Sequence, residues 1–212
     1  MAIKLIALDL DGTLLTSDKK ITTRTKDIIA RAMARGVTVT IATGRMLRSA
    51  VHFARLLASD APVICCNGGY VGRAEGDPVF AHYFDPALVR EFLTFAYERN
   101  WYVNWYSGME IYVPDYREDH FTAYQTTAHF VVNEVGNDYL RYTENVPQLV
   151  LRNLDDGISG YLEVVREHFG DRILPQQNTG TSLDINPPGV NKAVGNASLV
   201  DCAWFTWSLG WT

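Results

Sequence analysis

The chain has 212 residues, of which 47% are hydrophobic and 20% charged, and its formal net charge is -5 at pH 7. This length suits one large domain or two small ones, and the negative charge argues against nucleic acid or an anionic membrane as a partner. The three cysteines lack the spacing of a zinc site or a redox pair, and so small a number argues against a disulfide framework. We find neither a signal peptide nor a membrane-spanning run, so we expect a cytoplasmic protein.

The first third of the chain alternates strand and helix patterns. Residues 3–10 form a near-continuous apolar run, which is typical of a buried parallel strand. Residues 37–42 and 62–66 predict two more strands, and helices are predicted after the Thr22 cap and over residues 47–57. This β-α-β-α-β order predicts an α/β fold with a parallel sheet and right-handed crossovers.

The pattern changes after residue 82 to a second, α+β unit that we expect to be inserted over residues 83–185, with 1–82 and 186–212 forming the core. Asp85-Pro86 predicts the start of a helix. The further predicted elements are a hairpin of 101–106 with 110–113, a helix near 119–127, a strand over 148–152, a helix over 158–169, and strands at 173–174 and 182–185. Aromatic side chains in the hairpin form the core of this unit or line a pocket; they are Trp101, Tyr102, Trp105 and Tyr106.

Two carboxylates, Asp9 and Asp11, follow the first strand where it meets the turn at Gly12. Ligands of open α/β sheets bind at the carboxyl ends of strands, so this pair suits hydrolysis of a phosphate monoester. Asp9 is the candidate nucleophile, forming an aspartyl-phosphate, and Asp11 is the candidate acid and base if its pKa is raised. Because carboxylates repel phosphate, a hard cation such as Mg²⁺ is expected between them. A solvated turn or part of a calcium loop is the alternative interpretation.

Two further candidates are groups that would hold phosphoryl oxygens. Thr43 and the amide of Gly44 follow the second strand, at the edge where Asp9 is expected. Lys192 comes after the inserted unit and would balance the carboxylates as a point charge. Alone, each of these residues is usually a strand-end hydroxyl or a solvated surface charge, and only their order along the chain favours a phosphate site.

These motifs resemble the haloacid dehalogenase superfamily, and more closely its Cof-type sugar-phosphate and nucleotide phosphatases. The resemblance rests on Asp9-Leu10-Asp11-Gly12-Thr13, Ala42-Thr43-Gly44-Arg45, Asn67-Gly68 and Gly189-Val190-Asn191-Lys192. It implies a Rossmann-like core with a mobile α/β cap that chooses the substrate.

The resemblance also implies a role for each matched residue. Asp9 would be the nucleophile and Asp11 the acid and base, and Mg²⁺ would bind the Asp9 carboxylate and the Asp11 backbone carbonyl. The phosphate-binding residues would be Thr43, Gly44 and Lys192, and the substrate-binding residues Arg45, Asn67 and Gly68.

The segment after Lys192 departs from this family, which continues with a helix, a fourth strand and a Gly-Asp…Asn-Asp motif that completes the metal site. The last eleven residues of this chain instead carry no charge and three tryptophans. We therefore expect an incomplete core in a truncated or frame-shifted product, whose apolar end covers the gap or mediates self-association.

The leading functional hypothesis is a Mg²⁺-dependent phosphatase of small phosphorylated metabolites, namely sugar phosphates or nucleotides. The first alternative is a catalytically impaired remnant that binds phosphate weakly. Two further alternatives are a phosphoacceptor signalling domain and a sugar-phosphate mutase, since both use the same kinds of residues as a phosphatase.

Overall fold

The computed structural model of the protein describes residues 3–107, 110–125 and 131–208. These residues form two compact units. The first contains the described residues of 1–81 and 191–212, and the second those of 82–190.

The first unit begins with a parallel α/β arrangement, as predicted. Its elements in chain order are β1 (Leu5–Leu8), α1 (Thr23–Met33), β2 (Thr38–Ile41), α2 (Leu47–Leu56), β3 (Val63–Cys65), β4 (Tyr70–Gly72) and β5 (Phe80–Ala81). Strands β1 and β2 pair in parallel, and a parallel bridge between Ala42 and Ile64 connects the end of β2 to β3. Thr22 caps α1 as predicted, because its side chain accepts a hydrogen bond from the Thr25 amide.

Strands β4 and β5 were not predicted. β4 pairs antiparallel with β3, and β5 pairs antiparallel with β4. They contain three and two residues, which is too short for a periodic pattern. Cys66 was predicted as a strand residue, but it begins a tight turn in which Cys66, Asn67 and Gly68 all have positive φ. This turn reverses the chain between β3 and β4.

The second unit is built on a six-stranded mixed sheet with the order β10-β11-β9-β6-β7-β8. Its elements are α3 (Pro86–Glu98), β6 (Tyr102–Ser107), β7 (Glu110–Val113), α4 (Glu118–Gln125), β8 (Val131–Glu134), β9 (Gln148–Arg152), α5 (Tyr161–Phe169), β10 (Leu174–Thr179) and β11 (Ser182–Asn186). The predicted cap of α3 is confirmed, since Asp85 accepts from the Ala87 amide at 2.7 Å. Helix α5 starts three residues later than predicted, after Gly160 with a φ of +94°, and residues 126–127 of the predicted fourth helix lie outside the described residues.

One face of this sheet packs on the main apolar core of the unit. Val103, Trp105 and Leu149 lie on that face against helices α3 and α5, and Trp101 packs at its edge. Tyr102 and Tyr106, two positions along β6 from Asn104, lie on the opposite face. The four aromatic residues of the predicted hairpin are therefore divided between the two faces.

A helix begins at Lys192, although sequence analysis predicted that the segment after Lys192 would not continue as a helix. Helix α6 (Lys192–Ser208) is capped by Asn191, whose Oδ1 accepts from the amides of Ala193 and Val194 at 2.9 and 3.0 Å. It lies close to β3, because a Cβ on Gly195 would stand 2.6 Å from Ile64 Cγ2. Residues 209–212, which belong to the predicted self-association segment, lie outside the described residues. Among the helices that the structure describes, none has the length and apolar character to cross a membrane.

Candidate active site

Asp9 stands at the carboxyl end of β1, and its side chain is paired with the lysine that sequence analysis placed after the inserted unit. Asp9 Oδ1 accepts from the Leu10 amide at 3.0 Å and from Lys192 Nζ at 2.9 Å. Neither hydrogen bond uses Asp9 Oδ2. The Asp9 side chain is 39% exposed, so a ligand can reach it.

The turn that follows holds the two carboxylates in place. The amides of Leu14 and Leu15 donate to the carbonyls of Asp9 and Leu10 at 3.2 and 3.0 Å. The side chains of Leu10 and Leu14 are buried beneath the turn. Gly12 adopts a φ of +75°, a backbone conformation that glycine takes without the steric cost of a side chain.

Asp11 is held by two cationic side chains. Arg45 donates from Nε and from Nη2 to the two carboxylate oxygens, both at 2.8 Å, and Lys19 Nζ lies 2.8 Å from Oδ1. Chiefly because of the hydrogen bond from Arg45, the pKa of Asp11 is lowered from 3.8 to about 2, against the opposing effect of burial. This shift has the opposite sign to the raised pKa that sequence analysis required of a general acid.

Sequence analysis missed Lys19, which lies eight residues beyond Asp11 in a basic pair with Lys20. The backbone of Lys19 has a φ of +58°, and its amide donates to the Thr16 carbonyl at 2.9 Å. The pair of lysines after the Asp-x-Asp turn was the available signal, but a basic pair in a loop is usually solvated.

The ion pairs of Asp11 predict a pH-dependent contribution to the stability of the metal-free protein. Because the folded pKa of about 2 lies below the ordinary 3.8, this contribution is fully present above pH 3.8 and is lost as the pH falls through 2. We expect Asp11→Asn to lower Tm at pH 6 and the difference from wild type to shrink toward pH 2.5. Since the Asp11 side chain is 43% exposed, the effect is on the order of 1 kcal/mol or less.

Thermal unfolding followed by circular dichroism in a chelating buffer, between pH 6 and pH 2.5, measures this difference. Asp27→Asn, a change to an exposed carboxylate on α1, is the matched control. Its Tm difference from wild type should not shrink toward pH 2.5. A Tm difference for Asp11→Asn that stays constant over this pH range would contradict the prediction.

Thr43 and Gly44 lie at the same edge of the parallel pair as Asp9. The register pairs Leu8 with Ile41, so the residues after each strand leave the sheet side by side. Thr43 is buried, with 1% of its surface exposed, and its Oγ1 accepts from the Arg45 amide at 3.2 Å. Gly44 packs closely on Asn67, since a Cβ on Gly44 would stand 2.7 Å from Asn67 Oδ1.

Asn67 and Gly68 pack between the loop after β2 and the start of α6. The Asn67 amide donates to the Thr43 carbonyl at 3.2 Å. Gly68 has a φ of +98°, and a Cβ at this position would stand 2.1 Å from the carbonyl oxygen of Asn191. These two residues thus help to position Thr43 and Lys192, while their predicted contact with substrate remains a prediction.

The site as a whole combines two carboxylates with three cations, contributed by Arg45, Lys19 and Lys192. This balance suits binding of an anion. In the described part of the chain, no group of three or more His, Cys, Asp or Glu side chains could hold a metal ion by itself. The oxygen donors of Asp9 and Asp11 fit Mg²⁺, which commonly binds one or two carboxylates and completes its coordination with water and substrate phosphate.

Comparison with known proteins finds that this chain is similar to hydrolases and phosphatases. A family model described as haloacid dehalogenase-like hydrolase matches residues 6–202. A Streptococcus pyogenes protein named only provisionally as a phosphatase is 28% identical over 203 residues, which are 93% of this chain and 74% of that protein. The pyridoxal phosphate phosphatase of Escherichia coli is 47% identical over 72 residues, which are 34% of this chain and 26% of that protein.

A solved structure with a similar fold is a haloacid dehalogenase-like hydrolase from Bacteroides thetaiotaomicron. It aligns with a TM-score of 0.81 over 95% of this chain and 77% of its own chain, at 21% identity. At this identity the likeness shows the fold, and it confirms the predicted Rossmann-like α/β class.

Proposed function

This chain belongs to the haloacid dehalogenase-like hydrolases, and from that premise we propose that it hydrolyses the phosphate monoesters of small metabolites, such as sugar phosphates or nucleotides. The single observation that carries the proposal is the contact between Lys192 and Asp9, which are 183 residues apart in sequence. This contact and the hydrogen bonds from Arg45 to Asp11 bring together the proposed nucleophile, the proposed proton carrier and the cations that a phosphate needs. The small phosphorylated substrate in the name of the E. coli relative supports the substrate class.

In the proposed reaction, an Asp9 carboxylate oxygen attacks phosphorus while the bond from phosphorus to the leaving oxygen breaks. Lys192, the Thr43 hydroxyl and the Gly44 amide stabilise the phosphoryl oxygens. The leaving oxygen takes a proton from Asp11, which later accepts one from the water that hydrolyses the aspartyl-phosphate.

Asp11 must lose part of its contact with Arg45 and Lys19 before it can carry that proton, because these ion pairs favour the ionised carboxylate. The oxygens of a bound phosphate offer both cations another anionic partner. We propose that substrate binding exchanges these partners.

Mg²⁺ would be held by the Asp9 carboxylate and the backbone carbonyl of Asp11. When bound, it offsets the repulsion between the carboxylates and the phosphate. We further propose that the second unit, whose residues lie between Arg45 and Lys192 in sequence, acts as the cap that chooses the substrate.

Removal of Mg²⁺ tests this function. Phosphate release from p-nitrophenyl phosphate is followed with purified protein in Mg²⁺, after chelation and after Mg²⁺ is restored. We expect turnover to fall to the uncatalysed rate on chelation and to recover when Mg²⁺ is added back. Turnover that survives chelation would contradict the metal-dependent mechanism.

Two other results would favour the alternatives. Phosphate binding without turnover in Mg²⁺ would favour a binding remnant. A stable phosphorylated Asp9 with slow release, detected by mass spectrometry, would favour a phosphoacceptor domain.

A further inference from the structure

Arg45 lies at a place where the backbone does not favour a cation. It comes just before α2, whose N-cap is Met46 and whose first residue is Leu47. The start of a helix carries a partial positive charge, which attracts anions and repels a guanidinium. The Arg45 side chain is nevertheless only 17% exposed. Neighbouring side chains must therefore hold it in this position.

Three side chains contact the guanidinium of Arg45. Its Nε and Nη2 donate to the carboxylate of Asp11, and its Nη1 donates to Ser49 Oγ at 3.3 Å. Its Cζ lies 5.2 Å from the centre of the Phe53 ring, within the range of a cation–π interaction. Ser49 and Phe53 are four residues apart on α2, so their side chains lie on the same face of the helix. Asp11 thus binds two of the nitrogens, and α2 binds the third nitrogen and the ring face.

The hydroxyl of Ser49 contributes little to α2 itself. Ser49 is 2% exposed, and among the described residues its hydroxyl forms a hydrogen bond with Arg45 alone. It does not cap the helix, because the N-cap of α2 is Met46. Alanine is the better helix former at such a position, and a buried hydroxyl is costly unless it is hydrogen-bonded. The contact with Arg45 therefore accounts for a serine at this position.

These contacts allow Arg45 to change its anionic partner without leaving the site. Its Nε and Nη2 form a planar fork that fits two oxygens of a carboxylate or of a phosphate. If this fork moves from Asp11 to a phosphate, the contacts with Ser49 and Phe53 do not have to break. Without the Ser49 hydroxyl, the arginine side chain gains rotational freedom in the empty site. Substrate binding must then remove that freedom, which weakens affinity.

We propose that Ser49 is a positioning residue, which anchors Nη1 of Arg45 while Nε and Nη2 pass from Asp11 to the phosphate of the substrate. The proposal rests on the proposed function, because that phosphate belongs to the proposed substrate. Once bound, the phosphate itself orders Arg45. Ser49 therefore affects the binding of the substrate and not the chemical step that follows.

Ser49→Ala removes the anchoring hydroxyl, and Ser49→Cys, whose thiol is a weak acceptor, replaces it if Ser49→Ala does not fold. Ser198→Ala is the matched control, because the Ser198 hydroxyl donates to the Val194 carbonyl of its own helix at 3.0 Å. For each protein, kcat and KM for p-nitrophenyl phosphate and the inhibition constant of inorganic phosphate are measured at saturating Mg²⁺. Ser49→Ala is also combined with Arg45→Lys, which keeps the charge but lacks the fork. Tm is measured in parallel.

We expect Ser49→Ala to raise KM and the inhibition constant of phosphate together, by about three- to tenfold, and to leave kcat within about twofold of wild type. Added to Arg45→Lys, it should change neither constant further, because the fork that it positions is absent. Ser198→Ala should leave all three constants unchanged. The proposal is overturned if Ser49→Ala leaves KM and the inhibition constant unchanged. It is also overturned if Ser49→Ala raises them equally with Arg45 and with Lys at position 45, or if it lowers kcat and Tm together, which indicates a structural role.

The two proposals can fail separately. If wild type is active and Ser49→Ala behaves like it, only the role of Ser49 fails. If wild type does not hydrolyse p-nitrophenyl phosphate, the proposed function fails, and the anchoring of Arg45 is measured without turnover. Nuclear magnetic resonance then follows exchange of the Arg45 Nε hydrogen with solvent, and the signal is assigned by its loss in Arg45→Lys. Exchange that is about threefold or more faster in Ser49→Ala than in wild type and in Ser198→Ala supports the anchor, and equal exchange overturns it.

Discussion

Asp9→Asn is expected to reduce phosphate release from p-nitrophenyl phosphate by about 10⁴-fold or more, which is the range seen when an enzyme loses its nucleophile. The asparagine side chain keeps the shape of the aspartate, but its amide has little nucleophilicity toward phosphorus. It also loses the charge that pairs with Lys192 at 2.9 Å. Initial rates at saturating Mg²⁺, with parallel measurement of Tm, test this expectation.

Asp27→Asn, the change to an exposed carboxylate on α1, is again the matched control for this substitution. It should leave kcat within about twofold of wild type, since exposed positions away from a site have small effects. An Asp9→Asn protein that folds and retains more than a few per cent of wild-type turnover would exclude Asp9 as the nucleophile.

The second large effect is expected for Gly68→Ala, a substitution that adds one methyl group. That Cβ would stand 2.1 Å from the Asn191 carbonyl oxygen and 2.5 Å from its carbon, at a φ of +98° that L-residues rarely adopt. Backbone strain and steric overlap together should lower the free energy of unfolding by about 3 kcal/mol or more. Because Lys192 follows Asn191 directly, relief of the overlap should also move Lys192 away from Asp9 and lower kcat/KM.

Gly76→Ala separates the effect of backbone strain from the effect of steric overlap. Gly76 also has a positive φ, +87°, but a Cβ there would meet no atom within 4 Å. Its replacement should cost only the backbone strain, on the order of 1–2 kcal/mol. Denaturant unfolding of both variants measures the difference, and equal losses at the two positions would show that contact with Asn191 contributes nothing.

The Lys192–Asp9 contact explains why these two effects are linked. Gly195 of α6 packs on Ile64 of β3, and Gly68 packs on Asn191 at the start of the same helix. The helix start is therefore held at two points, against β3 and against the turn that follows it. Lys192, as the first residue of α6, takes its place at Asp9 from this packing.

The local signals in the sequence predicted the fold class and most of the elements. Thr22 and Asp85 are caps whose partners lie two or three residues away, so their hydrogen bonds depend on neighbouring residues alone. The strand patterns of β1 and β2 are likewise local, and their alternation with helices implies a parallel sheet. Short elements were missed: β5 has two residues, β4 has three, and neither shows a period.

What the sequence determined by itself is therefore the α/β class, the identity of Asp9 and Asp11 as a pair at a strand end, and Thr43, Gly44 and Lys192 as candidate partners. Only the tertiary structure decided the contacts among them. In the structure, Lys192 pairs with Asp9, and Arg45 and Lys19 pair with Asp11. These pairs lower the pKa of Asp11, whereas a general acid requires a raised pKa. The physical reason is that pairing and burial depend on distances between residues far apart in the chain, which a linear pattern does not contain.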